Sequence, residues 1–175
     1  MVKAYVGMGS NIGDGKRTLQ DAWKSLGSRA GIDCQQLSSP YLSAPVGMAS
    51  QNWFTNGVGV LTTTLEPVEL LRILLETEAD FGRKRPTTAL GYQDRSLDLD
   101  LLYFGDTVVI SKELTLPHPH VSKRLFVLEP LSEVALSFTD HITGLTAKDM
   151  IVRLQESFVQ DKNEKQEISR SSWAD

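Results

Sequence analysis

Cysteine is almost missing from this chain: Cys34 is the only one in 175 residues, which excludes an internal disulfide and any cysteine-rich metal centre. A basic excess is missing too. Eighteen Lys and Arg stand against 22 Asp and Glu, a net charge of -4 and a pI near 5.4, the wrong balance for a general nucleic-acid or anionic-membrane binder. No run approaches the roughly 18 apolar residues of a membrane span. The Met1-Val2-Lys3 start leads into no long apolar stretch, so a soluble protein of a reducing, cytoplasmic setting is expected. Two phosphate-cradling signatures are also lacking. No G-x-x-x-x-G-K-[ST] occurs, and in Gly7-Met8-Gly9-Ser10-Asn11-Ile12-Gly13 the last glycine falls one position too late for G-x-G-x-x-G. Any phosphate chemistry must therefore rest on local basic clusters.

The length suits one domain, expected over residues 1–159, followed by a polar tail over residues 160–175 that lacks periodicity and is expected to be loosely ordered from Lys162 to Asp175. No internal repeat is present, and nothing in the sequence fixes an oligomeric state; a monomer is compatible with it. Residues 3–8 read as a strand and residues 9–14 as a turn. Leu19, Ala22, Trp23 and Leu26 recur at helical spacing with Gly27 as a stop. Residues 33–41 look extended, and residues 54–64 are rich in Val and Thr, as a sheet strand is. Between them, residues 43–52 form a loop of turn formers, of a length that often carries function.

Pro67 suits a first helical turn, and Leu70, Leu71, Leu74 and Leu75 form an apolar stripe ending near Gly82. Glu78 falls on that stripe, and a carboxylate there needs a partner. A polar, basic and mobile loop follows over residues 83–94. Residues 108–110 are expected to pair with the strand before them across Phe104-Gly105-Asp106. Further helices are expected over residues 124–131 and 146–158. Strands and helices alternate without a regular βαβ crossover, so the expected class is α+β: a ferredoxin-like, mostly antiparallel sheet with helices packed on it and mobile active-site loops.

The most informative stretch is Arg95-Ser96-Leu97-Asp98-Leu99-Asp100-Leu101-Leu102. In a strand, Leu97, Leu99 and Leu101 face one way and Asp98 and Asp100 the other, the two acids roughly 6.5–7 Å apart. Both ionise comfortably only with a cation or a basic side chain between them. One reading is an amphipathic strand with an acidic outer face. The other is a site for Mg²⁺, which binds through one or two carboxylates plus substrate phosphates. Arg83, Lys84, Arg85, Arg95, Lys123 and Arg124 are either a solvated basic surface or forks for phosphate oxygens. His118 and His120 make a poor zinc pair, since catalytic zinc usually takes three protein ligands. A single His118 donating to a phosphate is more economical. Phe54 and Phe126 suit a core, or a stacking role beside Asn56 and Arg124.

Taken in order, Gly9-Ser10-Asn11, the 43–56 loop, Gly82-Arg83-Lys84-Arg85, Arg95-x-x-Asp98-x-Asp100, Pro117-His118 and Arg124-x-Phe126 resemble the 6-hydroxymethyl-7,8-dihydropterin pyrophosphokinase family over residues 3–151. The resemblance implies transfer of the β,γ-diphosphoryl group of ATP to the hydroxymethyl of a dihydropterin in folate biosynthesis, with release of AMP. It implies a ferredoxin-like fold and two Mg²⁺ ions held by Asp98 and Asp100. By the same resemblance, Arg83, Arg85 and Arg95 act on the transferring group, and Glu78, Thr115, His118 and Arg124 lie on the nucleotide side with Arg85 and Arg95. Phe54 and Phe126 sandwich the pterin, Asn56 reads its polar edge, and Ser43, Ala44 and Val46 complete its pocket. The chain departs from the family's common pattern at Leu90-Gly91-Tyr92-Gln93-Asp94, which lacks a proline, and at Pro119, where an aromatic is frequent.

Two rival classes fit less well. An RNA platform needs exposed aromatics and basic groups on its sheet, whereas Asp98 and Asp100 would repel a nucleic-acid backbone. Another D-x-D transferase, acting on a nucleotide-sugar, has less use for two rings that clamp a flat heterocycle. The expected partners are thus small molecules, with no nucleic acid and no membrane.

Overall fold

The structure is a computed structural model and describes residues 1–47, 50–83, 94–160 and 165–174. Its centre is β1 (Val2–Ser10), flanked by β4 (Phe54–Thr63) and β5 (Asp98–Phe104), both antiparallel to it. The far edge of β4 carries two shorter strands, β2 (Ile32–Leu37) and β3 (Tyr41–Ser43). On β3 sits β8 (Ile168–Arg170), so the order along the sheet is β5-β1-β4-β3-β8. Every pairing in it is antiparallel, as the absence of βαβ crossovers predicts.

Among the described residues, four α-helices cover the two faces. On one face α1 (Gly15–Gly27) and α2 (Pro67–Asp80) bury Leu19, Ala22, Leu26, Leu70 and Leu74 against Ala4, Val6, Met8, Leu61, Leu99 and Leu101. On the other, α3 (Leu125–Val134) and α4 (Ala147–Gln160) pack Val127, Leu128, Leu131 and Met150 against Tyr5, Val58, Val60, Leu102 and Tyr103. Each fully buried leucine contributes about 1.5–3 kcal/mol of transfer free energy. The helix starts are legible locally. Asp14 caps α1 by accepting from Arg17 N–H at 3.0 Å, and Glu69 accepts from Glu66 N–H at 2.9 Å at the head of α2. Gly82, with φ of 81°, adopts the left-handed conformation that ends α2. Gly59 is needed for a different reason: a Cβ there would sit 2.3 Å from the Trp23 ring that lies on β4.

Three sequence expectations are corrected. Residues 108–110 do not pair with β5. The chain leaves the sheet at a turn in which Thr107 N–H donates to Phe104 C=O at 3.0 Å, and β6 (Val109–Ile110) pairs with β7 (Thr115–Leu116) instead. Part of the open edge of β5 is taken by His118 N–H, which donates to Leu102 C=O at 2.9 Å. The α2 stripe is rotated slightly from the expected one: Leu70, Leu74, Thr77 and Glu78 are buried, while Leu75 is exposed. Finally, the C-terminal segment is not loose where it is described. It forms β8, and Trp173 Nε1–H donates to Ser38 C=O at 2.9 Å. Among the described residues no helix is long and apolar enough to cross a membrane.

Candidate active site

The β5 alternation puts Leu97, Leu99 and Leu101 in the core beside α2, and Asp98 and Asp100 on the face covered further along by α3 and α4. Cross-strand register then builds a floor. Asp98 lies opposite Gly9, which lies opposite Asn56; one step along, Asp100 lies opposite Gly7. Adjacent strands are about 4.8 Å apart, so acid and amide flank Gly9, which adds no side chain of its own between them, while the Leu102 side chain lies against Gly7. A ligand can approach the backbone at Gly9 closely.

The walls come from loops and from the start of α3. Ser43, Ala44, Val46, Phe54, Asn56, Arg95, Asp98, Asp100, Arg124 and Phe126 line one room with Gly7 and Gly9. A second room is lined by Glu78, Arg83, Thr115, His118, Pro119 and His120, and again by Arg95, Asp98, Asp100 and Arg124. Those last four residues are the shared wall. The acidic strand therefore stands between two chambers, one with two phenyl rings and an amide, the other with basic and imidazole groups.

Asp98 is tightly held: Arg83 and Arg95 both grip its carboxylate, Arg95 Nη1 at 2.7 Å from Oδ2. Arg83 also pairs with Glu78, and Glu78 Oε1 accepts the Leu99 N–H at 2.8 Å. The carboxylate on the α2 stripe thus has the partner it needs; it sits 1% exposed beneath the cleft. Asp100 is more loosely met, with Arg124 Nη1 and His118 Nε2 each 3.9 Å away. Burial first, and then the charge of Asp98, push its carboxyl up to about 6. Arg124 also stands over the Phe126 ring, 5.6 Å from its centroid.

His118 is neutral at pH 7, because burial and then the positive charge of Arg124 push it down to about 4. Its Nδ1 accepts from His120 N–H at 3.2 Å, which assigns the proton to Nε2, the nitrogen nearest Asp100. An uncharged donor is thus presented to the second room. Between pH 4 and the ordinary value of 6.5 the unfolded chain binds this proton and the folded chain does not. His118 therefore makes stability rise with pH across that window and fall as the pH drops through it. His118→Asn is expected to remove this contribution, read as a parent-minus-variant difference in unfolding midpoint that shrinks as pH falls from 7 to 4. A difference that is flat with pH would contradict a buried, neutral imidazole.

Most expected site residues are brought together. Lys123 is exposed and lines neither room. Lys84, Arg85, Leu90 and Tyr92, with the expected loop mobility, lie outside the described residues. Two residues with no role assigned from sequence prove to anchor the site. Asn11 exchanges backbone and side-chain bonds with Arg95, accepting its N–H at 2.8 Å and donating its own N–H to Arg95 C=O at 3.1 Å. Asp94 accepts from Asn11 Nδ2, Ser50 Oγ and Asn52 Nδ2 at 2.7, 2.6 and 2.8 Å, joining the end of β1 to the 50–52 loop. Asn11 stands in a glycine-rich turn after a strand, a local signal of function; Asp94 has none.

Known proteins match this arrangement. The family described as 7,8-dihydro-6-hydroxymethylpterin-pyrophosphokinase (HPPK) matches residues 5–136. A 2-amino-4-hydroxy-6-hydroxymethyldihydropteridine pyrophosphokinase of Methylorubrum extorquens is 36% identical over 91% of this chain and 98% of its own length. Proteins of the same name from Synechocystis and Bacillus subtilis are 40% and 37% identical, over 85% and 86% of this chain and 74% and 89% of their own. Among solved structures, an HPPK-DHPS in complex with substrates superposes with a TM-score of 0.75 at 11% identity, covering 97% of this chain and 46% of that one. The wild-type HPPK-DHPS of Plasmodium falciparum gives 0.72 at 11% identity, covering 97% and 44%. The chain spans less than half the length of these two solved proteins, and at such identities they speak for the fold alone. The α+β, ferredoxin-like architecture agrees with them. By its sequence match over three quarters of its length, the chain belongs to the 7,8-dihydro-6-hydroxymethylpterin-pyrophosphokinase family.

Proposed function

We propose that the ring-lined room holds 6-hydroxymethyl-7,8-dihydropterin, the basic room holds ATP, and Asp98 and Asp100 meet the diphosphoryl group where it crosses between them. The observation that carries this reading is the shared wall: the same two acids and two arginines line both rooms. The chain is an ATP-dependent pyrophosphokinase of folate biosynthesis, as its family and relatives are. The pterin hydroxymethyl oxygen attacks the β-phosphorus and releases its proton to solvent, the bond from that phosphorus to the oxygen bridging it to the α-phosphorus breaks, and AMP leaves.

The residues divide the work by position. Phe54 and Phe126 supply the faces for a flat heterocycle, with Ser43, Ala44 and Val46 around it. Asn56 Nδ2 donates to Ser43 Oγ at 3.0 Å, which turns the carbonyl Oδ1 toward a ring N–H. Arg95 and Arg124 supply fixed positive charge where negative charge develops, and Arg83, with Arg85 beyond the described residues, adds to it. Neutral His118 donates from Nε2, and Thr115 lines the nucleotide room beside it.

Two carboxylates on one strand, one of them pushed up to about 6 by its burial and then by its neighbour, are a hard-oxygen donor set that fits Mg²⁺. Among the described residues no group of three or more His, Cys, Asp or Glu could hold a metal alone, which suits ions that take their remaining ligands from phosphates. Asp98 and Asp100 would hold two Mg²⁺, which would supply neutralisation of phosphate charge and polarisation of the pterin hydroxyl. The remaining assignments are a cytoplasmic location, a pterin pyrophosphokinase domain over residues 1–159, and no nucleic-acid or membrane partner.

Removing one face of the sandwich is the test. Phe126→Ala is expected to weaken pterin binding about tenfold to a hundredfold, the range set by burying one phenyl group, while ATP binding stays within about twofold. Calorimetric titration of each substrate measures both. Unchanged pterin affinity would remove Phe126 from the pocket.

A further inference from the structure

The start of α3 has a polar gap that its own capping residue does not close. Arg124 stands at the N-cap and makes no side-chain capping bond; a guanidinium has donors only and cannot accept from the free N–H groups of a first turn. The acceptor arrives from the C-terminal segment. Leu125 N–H donates to Gln166 Oε1 at 2.8 Å, and Gln166 Nε2 donates to Lys123 C=O at 2.9 Å. One side-chain amide therefore clasps the main chain on both sides of Arg124.

The same segment holds another wall of the ring-lined room. Glu167 C=O accepts from Ala44 N–H at 3.1 Å, and Ile168 pairs with Ser43 across β3 and β8. It is then pinned down further along. Arg170 meets Glu133 at 2.6 Å, Ser171 N–H donates to Pro40 C=O at 2.8 Å, and Trp173 closes on Ser38. Residues 165–174 lie beyond the 5–136 span that matches the family, yet they touch both sides of the room that the family reading gives to the pterin.

We propose that residues 165–174 are a strap setting the width of the pterin room, and that Gln166 is its positioning residue, fixing Arg124 and Phe126 relative to Ser43 and Ala44. The inference rests on the pterin assignment of that room. It predicts a larger effect on the pterin than on the nucleotide: among the described residues the strap bonds directly to Ser43 and Ala44, which line the ring-lined room alone, and reaches the nucleotide room only through Arg124, which both rooms share.

The experiment uses the full chain with Gln166→Met, which keeps the length and removes both bonds, and Gln166→Glu, which keeps the acceptor for Leu125 N–H and loses the donor. Binding of 6-hydroxymethyl-7,8-dihydropterin to enzyme saturated with Mg²⁺ and a non-hydrolysable ATP analogue, and binding of that analogue alone, are titrated by calorimetry. Gln166→Met is expected to raise the pterin Kd about tenfold and Gln166→Glu about threefold, the scale of losing two hydrogen bonds or one. The analogue's Kd stays within about twofold in both. If the Met variant does not fold, the Glu variant carries the same one-sided prediction. Pterin binding unchanged in the folded variants, or both ligands weakened in parallel, overturns the strap. A parent chain that binds no pterin overturns the assignment of the room and the strap with it, whereas a parent that binds and variants that bind equally overturn the strap alone.

Discussion

Asp100→Asn is expected to slow turnover about a thousandfold, the scale of removing a group that meets developing charge, while the folded chain loses no stability. The second half follows from how Asp100 is held. Its neighbours Arg124 and His118 stand 3.9 Å away, so no close ion pair is broken. Its carboxyl is pushed up from 3.8 to about 6, by burial and then by Asp98. The folded chain therefore holds this proton between pH 3.8 and 6 where the unfolded chain has released it. Stability from this group falls as pH rises through that window, and above it the ionised carboxylate is a standing cost. Asparagine has the same shape and no charge, so in the absence of Mg²⁺ the variant should melt at or above the parent's temperature at pH 7, with the advantage vanishing below pH 4. A group that costs stability and carries activity is the pattern expected of a functional site. Melting curves at pH 4 and 7 beside a turnover assay check it; a variant that is both active and less stable would contradict the assignment.

Glu78→Ala is the largest expected effect on stability. The carboxylate is 1% exposed and holds both the Arg83 guanidinium and the Leu99 N–H. Truncation leaves a largely buried arginine short of one partner and a core strand amide unsatisfied, a loss of about 3–5 kcal/mol by analogy with broken buried pairs. Glu78→Gln keeps an acceptor for Leu99 N–H and is expected to lose less. Urea denaturation measures both; a loss under about 1 kcal/mol for alanine would mean that Arg83 is carried by Asp98 alone. Because Arg83 also grips Asp98, coupling is expected: Glu78→Ala combined with Arg83→Met should be milder than the sum of the two.

What the sequence discloses about this site follows the range of the interactions. The alternation of Leu97, Asp98, Leu99, Asp100 and Leu101 is a local, period-two signal, and the strand obeys it. The demand of Glu78 for a partner is legible because helical spacing alone buries it; which partner it finds depends on the turn at Gly82. Residues 108–110 misled because any short Val-Ile run after a turn looks like the second strand of a hairpin. The competing pairing with residues 115–116 leaves the edge of β5 to His118. The clasp of Asn11 on Arg95 spans 84 residues and that of Gln166 on Leu125 spans 41. No window of local sequence contains both ends of such a bond. β8 was hidden for a related reason: three residues, mostly exposed, gain their strand geometry from the β3 edge rather than from any pattern of their own.

In the proposed reaction a diphosphoryl group passes from ATP to a pterin across the wall formed by Asp98 and Asp100. Identifying the nucleotide formed from Mg²⁺-ATP, with and without 6-hydroxymethyl-7,8-dihydropterin, tests it most directly. AMP that forms only when the pterin is present, in equal amount with pterin diphosphate, is the predicted result; ADP, or nucleotide cleavage indifferent to the pterin, would contradict it.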